Sequence, residues 1–584
     1  MPGAQPTICL NMIVRNEAHI VHEVLDSVAP FIDSWVIVDT GSDDGTQDKI
    51  RDHMAALGIP GELYERPWRD FGHNRSEALD LARGHGDYIW VIDADDLLVG
   101  TPDFSGLTAD VYQLHYGPGV SYWRRQLFKD GLPWRYIGVL HEYADCGGPC
   151  AEERLDGDYY IESRRLGGRS QDPEKYLRDA EILLAEVQRD PENPRSVFYL
   201  AQSYYDYGDF VSARRWYQRR TEMAGFDEEV YCSLMRVADT MVRLDEPWPA
   251  VLDVYLRAWE FRPSRAEPLH AIAHRYRNDQ RYQLGYLFAE RAAAIPLPQD
   301  DVLFVNSAVY EWCALDEQAV CASWIGKHEE AFTLCRRLIS RDDISDDDRR
   351  RIAANRDCSA GPLIEAAAVY PIALAQHLSA GGHEGDVTVT LIAGPGRDMT
   401  ERTLNSFLNC CADSRLIEKT LILDVGLRPD DRAALSASYP FIEFRPLPPN
   451  LELRQIRAQI SGRFWFHLGM GWQFFAREDL ITRLTAVLQS GPEVVQVGVN
   501  YEDADKLTGA AASGPSVRHA VRAGRYALTD AAVSGPAMFD CTRLDQVFAG
   551  EDGRRTTIAD LGRRAAETGL HIATLDEVLC ILQF

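Results

Sequence analysis

Four apolar runs, each short enough for a strand, alternate with polar stretches over residues 7–161. They are Ile8-Cys-Leu-Asn-Met-Ile-Val14, Trp35-Val-Ile-Val-Asp-Thr-Gly-Ser42, Gly61-Glu-Leu-Tyr-Glu-Arg-Pro67 and Asp87-Tyr-Ile-Trp-Val-Ile-Asp-Ala-Asp-Asp96. Between them, Glu17–Ser27 and Gln47–Leu57 place apolar residues at helical spacing: Ile20, Val24 and Val28, then Ile50, Met54 and Leu57. Strand and helix in alternation predict a mainly parallel, Rossmann-like sheet with helices on its faces. Asp44-Gly45-Thr46 supplies a turn and a cap before the second helix.

From about residue 170 to 380 the strand signal gives way to long amphipathic helices with a repeating landmark. Gly208 is followed by Ala213, Asp245 by Ala250 and Gly326 by Ala331, always five positions on, with Tyr204, Tyr205 and Tyr217 near the first. A further set of aromatics, Tyr276, Tyr282 and Tyr286, surrounds Gln280. That spacing suits helix pairs that must stack to bury their faces. From Asp386 strands return in VTVTLIA, KTLILDVG, FIEFRPL, RFWFHLG and EVVQVGV. The expected domains are thus residues 1–165 (α/β), 166–380 (all-α repeats) and 381–584 (a second α/β unit), with Gly381-Gly382 near the second boundary.

The chain has 584 residues, too many for one core, and its 89 acidic against 61 basic residues leave a net charge of −28. That balance argues against a nucleic-acid partner and against general attraction to anionic membranes. No apolar run reaches the length of a membrane span, and the first residues lack a basic region followed by an apolar stretch, so the expected location is the cytoplasm. Twelve cysteines, among them Cys146 with Cys150 and the adjacent Cys410 and Cys411, form no paired C-x2-C sites; reduced thiols are expected rather than a zinc module.

The candidate chemistry lies at the end of the fourth run. A buried strand is expected to end in Asp93-Ala94-Asp95-Asp96, so alternation turns Asp93 and Asp95 to the same side, where oxygen ligands suit Mg²⁺ or Mn²⁺ and a diphosphate would fill the remaining positions. Together with Asn11-Met-Ile-Val-Arg15-Asn16-Glu17, Val36-Ile-Val-Asp39-Thr-Gly41-Ser-Asp-Asp44-Gly-Thr and Asn74-Arg75-Ser-Glu-Ala78, the Asp93-Ala94-Asp95-Asp96 string resembles the nucleotide-sugar half of family-2 glycosyltransferases with the A-type fold. The resemblance covers about 100 residues. It implies a nucleotide-sugar donor, most simply a UDP-sugar. It places Asn11, Arg15, Asn16, Glu17, Asp39 and Gly41 about its base and ribose, and Arg75, Asp93, Ala94 and Asp95 at its diphosphate. Asp44 either contacts the nucleobase or caps the next helix.

The family's late Glu-Asp pair is missing from this segment. In its place stands Trp134-Arg-Tyr-Ile-Gly-Val-Leu-His141-Glu142, which resembles a subgroup whose catalytic domain is fused to helical repeats. On that reading His141 joins Asp93 and Asp95 at the metal or the diphosphate, and Glu142 is the general base of an inverting displacement; a plain buried His–Glu hydrogen bond is the other reading. Trp68, Tyr122, Trp123 and Trp134 either stack on a sugar or pack in the core.

The helical segment resembles tetratricopeptide repeats, and the catalytic-plus-repeat arrangement resembles the sublancin-type peptide S-glycosyltransferases. This implies a protein or peptide acceptor, with saccharide or lipid-linked acceptors still open and a homodimer as the repeats' other use. The third segment echoes the first. Thr420-Leu-Ile-Leu-Asp424-Val-Gly426 parallels the Asp39 string, and Arg463-Phe-Trp-Phe-His-Leu-Gly469-Met-Gly471 parallels the Asp93 string with glycine at both acidic positions. Glu551-Asp552 resembles the family's late pair. A degenerate second A-type domain without a metal site follows. Two alternatives stay open: a non-catalytic scaffold with vestigial sugar-binding domains, and a bifunctional enzyme.

Overall fold

The computed structural model describes residues 6–117, 122–164, 166, 174–341, 343–381, 385–448, 452–505, 507, 516–549 and 557–583. The almost wholly apolar strands expected of a parallel sheet are there: β1 (Ile8–Val14), β2 (Ser34–Asp39), β3 (Gly61–Glu65) and β4 (Tyr88–Val91). β1 lies parallel to both β2 and β4, and β2 lies parallel to β3. The sheet continues through β5 (Asp96–Pro102), β6 (Val111–Tyr116), β7 (Tyr122–Lys129) and β11 (Gly157–Ser163), in the order β3-β2-β1-β4-β7-β6-β11-β5, with β10 (Glu152–Arg154) beside β6. A separate hairpin joins β8 (Arg135–Ile137) to β9 (Tyr143–Asp145). Helices α1 (Val21–Val28), α2 (Thr46–Leu57) and α3 (Phe71–Ala82) complete the unit, α1 burying Val24, Leu25 and Val28 and α2 burying Ile50 and Met54.

Register decides where a site can form. Val14 pairs with Asp39 and Asn11 with Val91, so β1, β2 and β4 end at one edge of the sheet and their following loops lie side by side. Open α/β sheets bind ligands at this carboxyl edge. One expectation fails here: β4 stops at Val91, and Asp93-Ala94-Asp95 forms a turn closed by the Asp96 N–H donating to the Asp93 carbonyl at 3.1 Å. Strand alternation therefore does not set the directions of Asp93 and Asp95.

The chain divides into two compact units, Met1–Pro263 with Asp300–Val305, and Ser264–Gln299 with Asn306–Phe584. Helical pairs occur in each. The first unit holds α4 (Lys175–Arg189), α5 (Pro194–Tyr207), α6 (Phe210–Thr221), α7 (Asp227–Arg243) and α8 (Trp248–Phe261). The second holds α9 (Glu267–Asn278), α10 (Tyr282–Ala293), α11 (Ala314–Trp324) and α12 (His328–Ile339). The repeat landmarks are the turns inside these pairs. Gly208, Asp245, Gln280 and Gly326 have φ of 94°, 54°, 58° and 83°. After each, the next N–H returns to a carbonyl five residues back: Asp209 to Tyr204, Glu246 to Met241, Arg281 to Tyr276 and Lys327 to Ala322. This is a helix stop of the left-handed type, easiest for glycine and tolerated by Asp. Ala213 and Ala331 are buried at the helix contact as expected, whereas Ala250 is exposed and its neighbour Val251 is buried instead.

The second unit also carries a sheet, ordered β14 (Ile442–Pro446), β13 (Ile417–Asp424), β12 (Val387–Ala393), β15 (Phe464–Leu468), β20 (Ala537–Asp540), β17 (Val494–Gly498), β21 (His571–Leu575), β19 (Gly524–Thr529) and β18 (Val517–Ala520). Its parallel core, third-second-first-fourth with an antiparallel fifth neighbour, repeats the order of the first sheet. The turn after β13 repeats as well. Asp424 accepts from the Gly426 and Leu427 N–H groups at 3.1 and 2.9 Å, as Asp39 does from Gly41 and Ser42 at 2.9 Å each.

Where the first sheet has its acidic turn, the second has Gly469-Met-Gly471, bonded to the chain's own carboxyl end. Gln583 N–H donates to the Gly471 carbonyl at 3.0 Å, and β16 (Trp472–Phe474) pairs with β22 (Cys580–Leu582). Glu551 and Asp552 lie outside the described residues. Among the described residues no single helix is long and apolar enough to cross a membrane; the pair Asp346–Ala367 and Ile372–Ser379 reaches that length only across a 59° bend.

Candidate active site

Two loops at the carboxyl edge of the first sheet are sewn together by their own polar groups. Asn16, in the left-handed region at φ 58°, donates its N–H to Ser42 Oγ at 2.8 Å and accepts from the Asp43 N–H at 3.0 Å. Glu17 N–H donates to Thr46 Oγ1 at 2.9 Å. Asp44 accepts from the Ala18 N–H at 3.0 Å and from the N–H of Thr46, the first residue of α2, at 3.1 Å. Arg15 is exposed just beyond β1. Asn11, expected beside the donor, is instead a clamp. Its amide donates to the Val36 and Ala78 carbonyls at 3.0 Å each, which fastens β1 to β2 and α3 and leaves no side-chain donor for a nucleotide.

Asp39 is different. Its Oδ1 takes the Gly41 and Ser42 N–H groups and the Gln47 amide at 3.0 Å, which fixes the carboxylate plane. Gly41 meets that geometry at φ 104°, a region side chains avoid. Asp39 is 1% exposed, and its Oδ2 is buried with no partner among the described residues. A buried acceptor without a donor is costly, by about 1–3 kcal/mol, and marks a place where a ligand's N–H or O–H would be welcome.

A charged cluster occupies the same edge. The N-cap Asp70 starts α3 by accepting from His73 N–H at 2.8 Å, and the helix delivers Arg75 into the interior. Arg75 Nη2 donates to Asp93 Oδ1 at 2.5 Å, and Arg124 Nη1 donates to Asp93 Oδ2 at 2.9 Å. On its other side Arg75 Nε lies 2.8 Å from Glu142 Oε1, close enough for an ion pair though not aligned as a hydrogen bond; both side chains are 8% exposed. Burial pushes the Asp93 carboxyl up, but the Arg75 and Arg124 guanidiniums outweigh it and hold the group well below the usual carboxylate range. Burial likewise opposes the charge on Arg75, and Asp93 and Glu142 more than restore it. The next acid responds the opposite way. Burial, with Asp93's charge adding to it, pushes Asp96 up to about 7, and Tyr116 OH donates to it at 2.8 Å.

Arg124 had no place in the sequence-based site; β7, the neighbour of β4, carries it to the Asp93 turn. β7 runs antiparallel to β4 with Tyr88 opposite Lys129 and Trp90 opposite Leu127. Beyond that pairing the chain leaves β4 for the Asp93 turn, and Arg124 reaches Asp93 Oδ2 from β7. Alternation sends its neighbour Arg125 elsewhere, to Glu152 at 2.6 Å. Two successive arginines on a return strand were the available signal.

His141 does not join the acids. It sits exposed in the left-handed region at φ 51°, its ring is stacked on Tyr199 of α5 (3.9 Å between centroids, 10° between planes), and its carbonyl accepts from Arg195 Nη2 at 2.9 Å. Asp93 and Asp95 have the hard-oxygen chemistry that Mg²⁺ and Mn²⁺ prefer. Their arrangement does not assemble the expected ligand set: both Asp93 oxygens hold guanidiniums, His141 faces the helices, and among the described residues no three His, Cys, Asp or Glu side chains gather as a cation site. Where the sequence reading put an Asp93–Asp95–His141 metal centre, the structure shows an arginine–carboxylate cluster on Asp93, with buried Arg75 and half-buried Arg124 on its two oxygens and His141 turned to α5. Ala94 is buried in the turn between the two acids, and Asp95 is half-buried. Of the aromatics, Trp134 is core, packed on Phe128 at 5.1 Å, whereas Tyr122 is 44% exposed and stacked on Tyr116.

Gly72 sets the distance between α3 and the hairpin that bears Glu142: a Cβ there would overlap the Gly138 carbonyl oxygen, a backbone atom that cannot swing away. Gly72→Ala is expected to destabilise the first unit by about 1–3 kcal/mol, read as a lower urea midpoint, and to loosen the Arg75–Glu142 pair.

Residues 9–101 match the family model for Glycosyl transferase family 2, a span that holds Asp39, Arg75, Asp93 and Asp95 and stops before Arg124 and Glu142. A TPR repeat-containing protein of Synechococcus elongatus is 26% identical over 319 residues, which is 50% of this chain and 75% of that protein. Among solved structures, MamA aligns over 27% of this chain and 84% of its own at 14% identity and a TM-score of 0.23. YrrB, described as a TPR protein with an unusual peptide-binding site, aligns over 31% of this chain and 84% of its own at 12% identity and a TM-score of 0.25. The chain carries a family-2 glycosyltransferase domain at its amino-terminal end, tetratricopeptide-like helical pairs after it, and a second sheet-containing domain.

Proposed function

Starting from a family-2 glycosyltransferase domain joined to helical repeats, we propose that this protein transfers a sugar from a nucleotide-sugar, most simply a UDP-sugar, to a protein or peptide acceptor. The observation that carries the donor assignment is the buried Oδ2 of Asp39, without a partner among the described residues, on the same sheet edge as the Asp93–Arg75–Arg124 cluster. Asp39 accepts a hydrogen bond from the base or ribose, and the guanidiniums face the negative charge that develops on the departing diphosphate.

In the single displacement the acceptor's nucleophilic atom attacks the anomeric carbon and the bond from that carbon to the diphosphate oxygen breaks. The diphosphate leaves with the electron pair, and the acceptor's proton passes to a carboxylate. Glu142 is assigned that proton. It touches Arg75 on the donor side, and the preceding residue, His141, is bound to Tyr199 and Arg195 of α5 on the helical side. The helical pairs α4–α7 that follow the catalytic domain support a polypeptide acceptor, since stacked helix pairs build extended binding surfaces. Glu142→Gln is expected to lower kcat about 10²–10⁴-fold while the nucleoside diphosphate still binds, its affinity measured alongside because Arg75 loses a charged partner. A variant that turns over normally would remove Glu142 as the base, and binding without release by the wild type would favour the scaffold reading.

A further inference from the structure

Resting on the donor assignment above, we infer that Arg124 contacts the donor's diphosphate and that Asp93 is the post that holds Arg124 and Arg75 in place for it. Three observations lead there. Arg124 and Arg75 approach the same carboxylate from different elements, β7 and α3, one on each oxygen, so one acid anchors both guanidiniums. Arg124 spends one N–H on Asp93 and makes no other hydrogen bond among the described residues, whereas a guanidinium carries five N–H donors. Its side chain is 33% exposed and that of Asp93 is 27% exposed, against 8% for Arg75. Arg124 is thus the member of the pair that a ligand can reach without dismantling the core.

Forked guanidinium donors match the oxygen spacing of a phosphate, and an arginine already oriented by a carboxylate loses little freedom on binding. Asp96 takes its hydrogen bond from Tyr116 OH and makes no ion pair with either arginine among the described residues. The sequence-based scheme gave the work of meeting the diphosphate to a cation held by Asp93; in this arrangement the same aspartate serves it indirectly, through two arginines.

The test measures binding rather than turnover. UDP, UMP and uridine, and the guanosine series in parallel, are titrated calorimetrically into the full chain in EDTA, then with Mn²⁺ or Mg²⁺. Wild type is expected to prefer the diphosphate over the nucleoside at least tenfold in EDTA, Arg124→Gln to lose about tenfold or more of that preference, and Arg124→Lys to retain part of it. Melting curves check that each variant is folded, and the lysine variant, which keeps the charge beside Asp93, serves if the glutamine variant does not fold. An unchanged diphosphate preference in Arg124→Gln would overturn the inference, and so would a wild-type preference that exists only with added cation. If neither nucleotide series binds wild type under any condition, the glycosyl-transfer reading itself falls, an outcome distinct from the other two.

Discussion

Asp93→Asn is expected to be the most damaging single change in the first unit, lowering both its stability and its transfer rate. Removing one partner of a buried ion pair strands the other, at a cost of about 3–5 kcal/mol. The partial exposure of Asp93 and Arg124 places this site toward the lower figure. Here one carboxylate secures two cations, so Arg75 keeps only Glu142 and Arg124 keeps no ion-pair partner among the described residues. Transfer should fall about 10²–10³-fold as the oriented donors are lost. Hydrogen exchange of α3 and β7 peptides should report the loosening locally, and Asp95→Asn should leave those peptides protected. Wild-type protection in Asp93→Asn would show that the cluster is not structural.

Glu577 is expected to have the corresponding effect in the second unit. It receives Arg336 of α12 at 2.6 Å and Arg483 of the helix Leu480–Ser490 at 2.8 Å, while Glu478 pairs with both arginines. The network ties a repeat helix to the sheet domain within one unit. Burial pushes the Glu577 carboxyl up, yet the two arginines prevail and hold it at about 2. A carboxyl with a folded value below its unfolded value of about 4.3 stabilises the fold above that unfolded value and loses the contribution as pH falls toward 2. The difference corresponds to on the order of 3 kcal/mol. Glu577→Gln should therefore lower stability by roughly that amount at pH 7 and should flatten the acid limb between about pH 4.3 and 2. Exchange of peptides from α12 and β21 reads it directly; an acid limb identical to wild type would contradict the assignment.

What the sequence disclosed follows the physics that is local. Continuous apolar runs located the parallel strands because both faces of such strands are buried, and the residues at 208, 245, 280 and 326 marked the repeat turns because a left-handed stop favours Gly and tolerates short polar residues. The two sheets shared enough side-chain pattern for their common strand order to be anticipated. Asp39 was legible too, as an acid ending a buried strand before a Gly-Ser turn. The misses all depend on partners far along the chain. Asn11 is spent on the carbonyls of Val36 and Ala78, and no spacing shows that. His141 is claimed by Tyr199, 58 positions later, in a helix whose docking side the motif does not encode. Asp93 reads as a metal ligand until an antiparallel strand brings Arg124 to it.

The functional expectations, unlike those on stability, depend on the carboxyl edge of the first sheet binding and splitting a nucleotide-sugar. The direct measurement is nucleoside diphosphate release by the full chain offered UDP- and GDP-sugars one at a time, with and without Mn²⁺, in wild type and in Asp93→Asn. Release is predicted from at least one donor, with an increase when a suitable peptide is added and its loss in the variant. Equal release by wild type and Asp93→Asn, or no release from any donor by a wild type that binds the nucleotide in the presence of candidate acceptors, would contradict it.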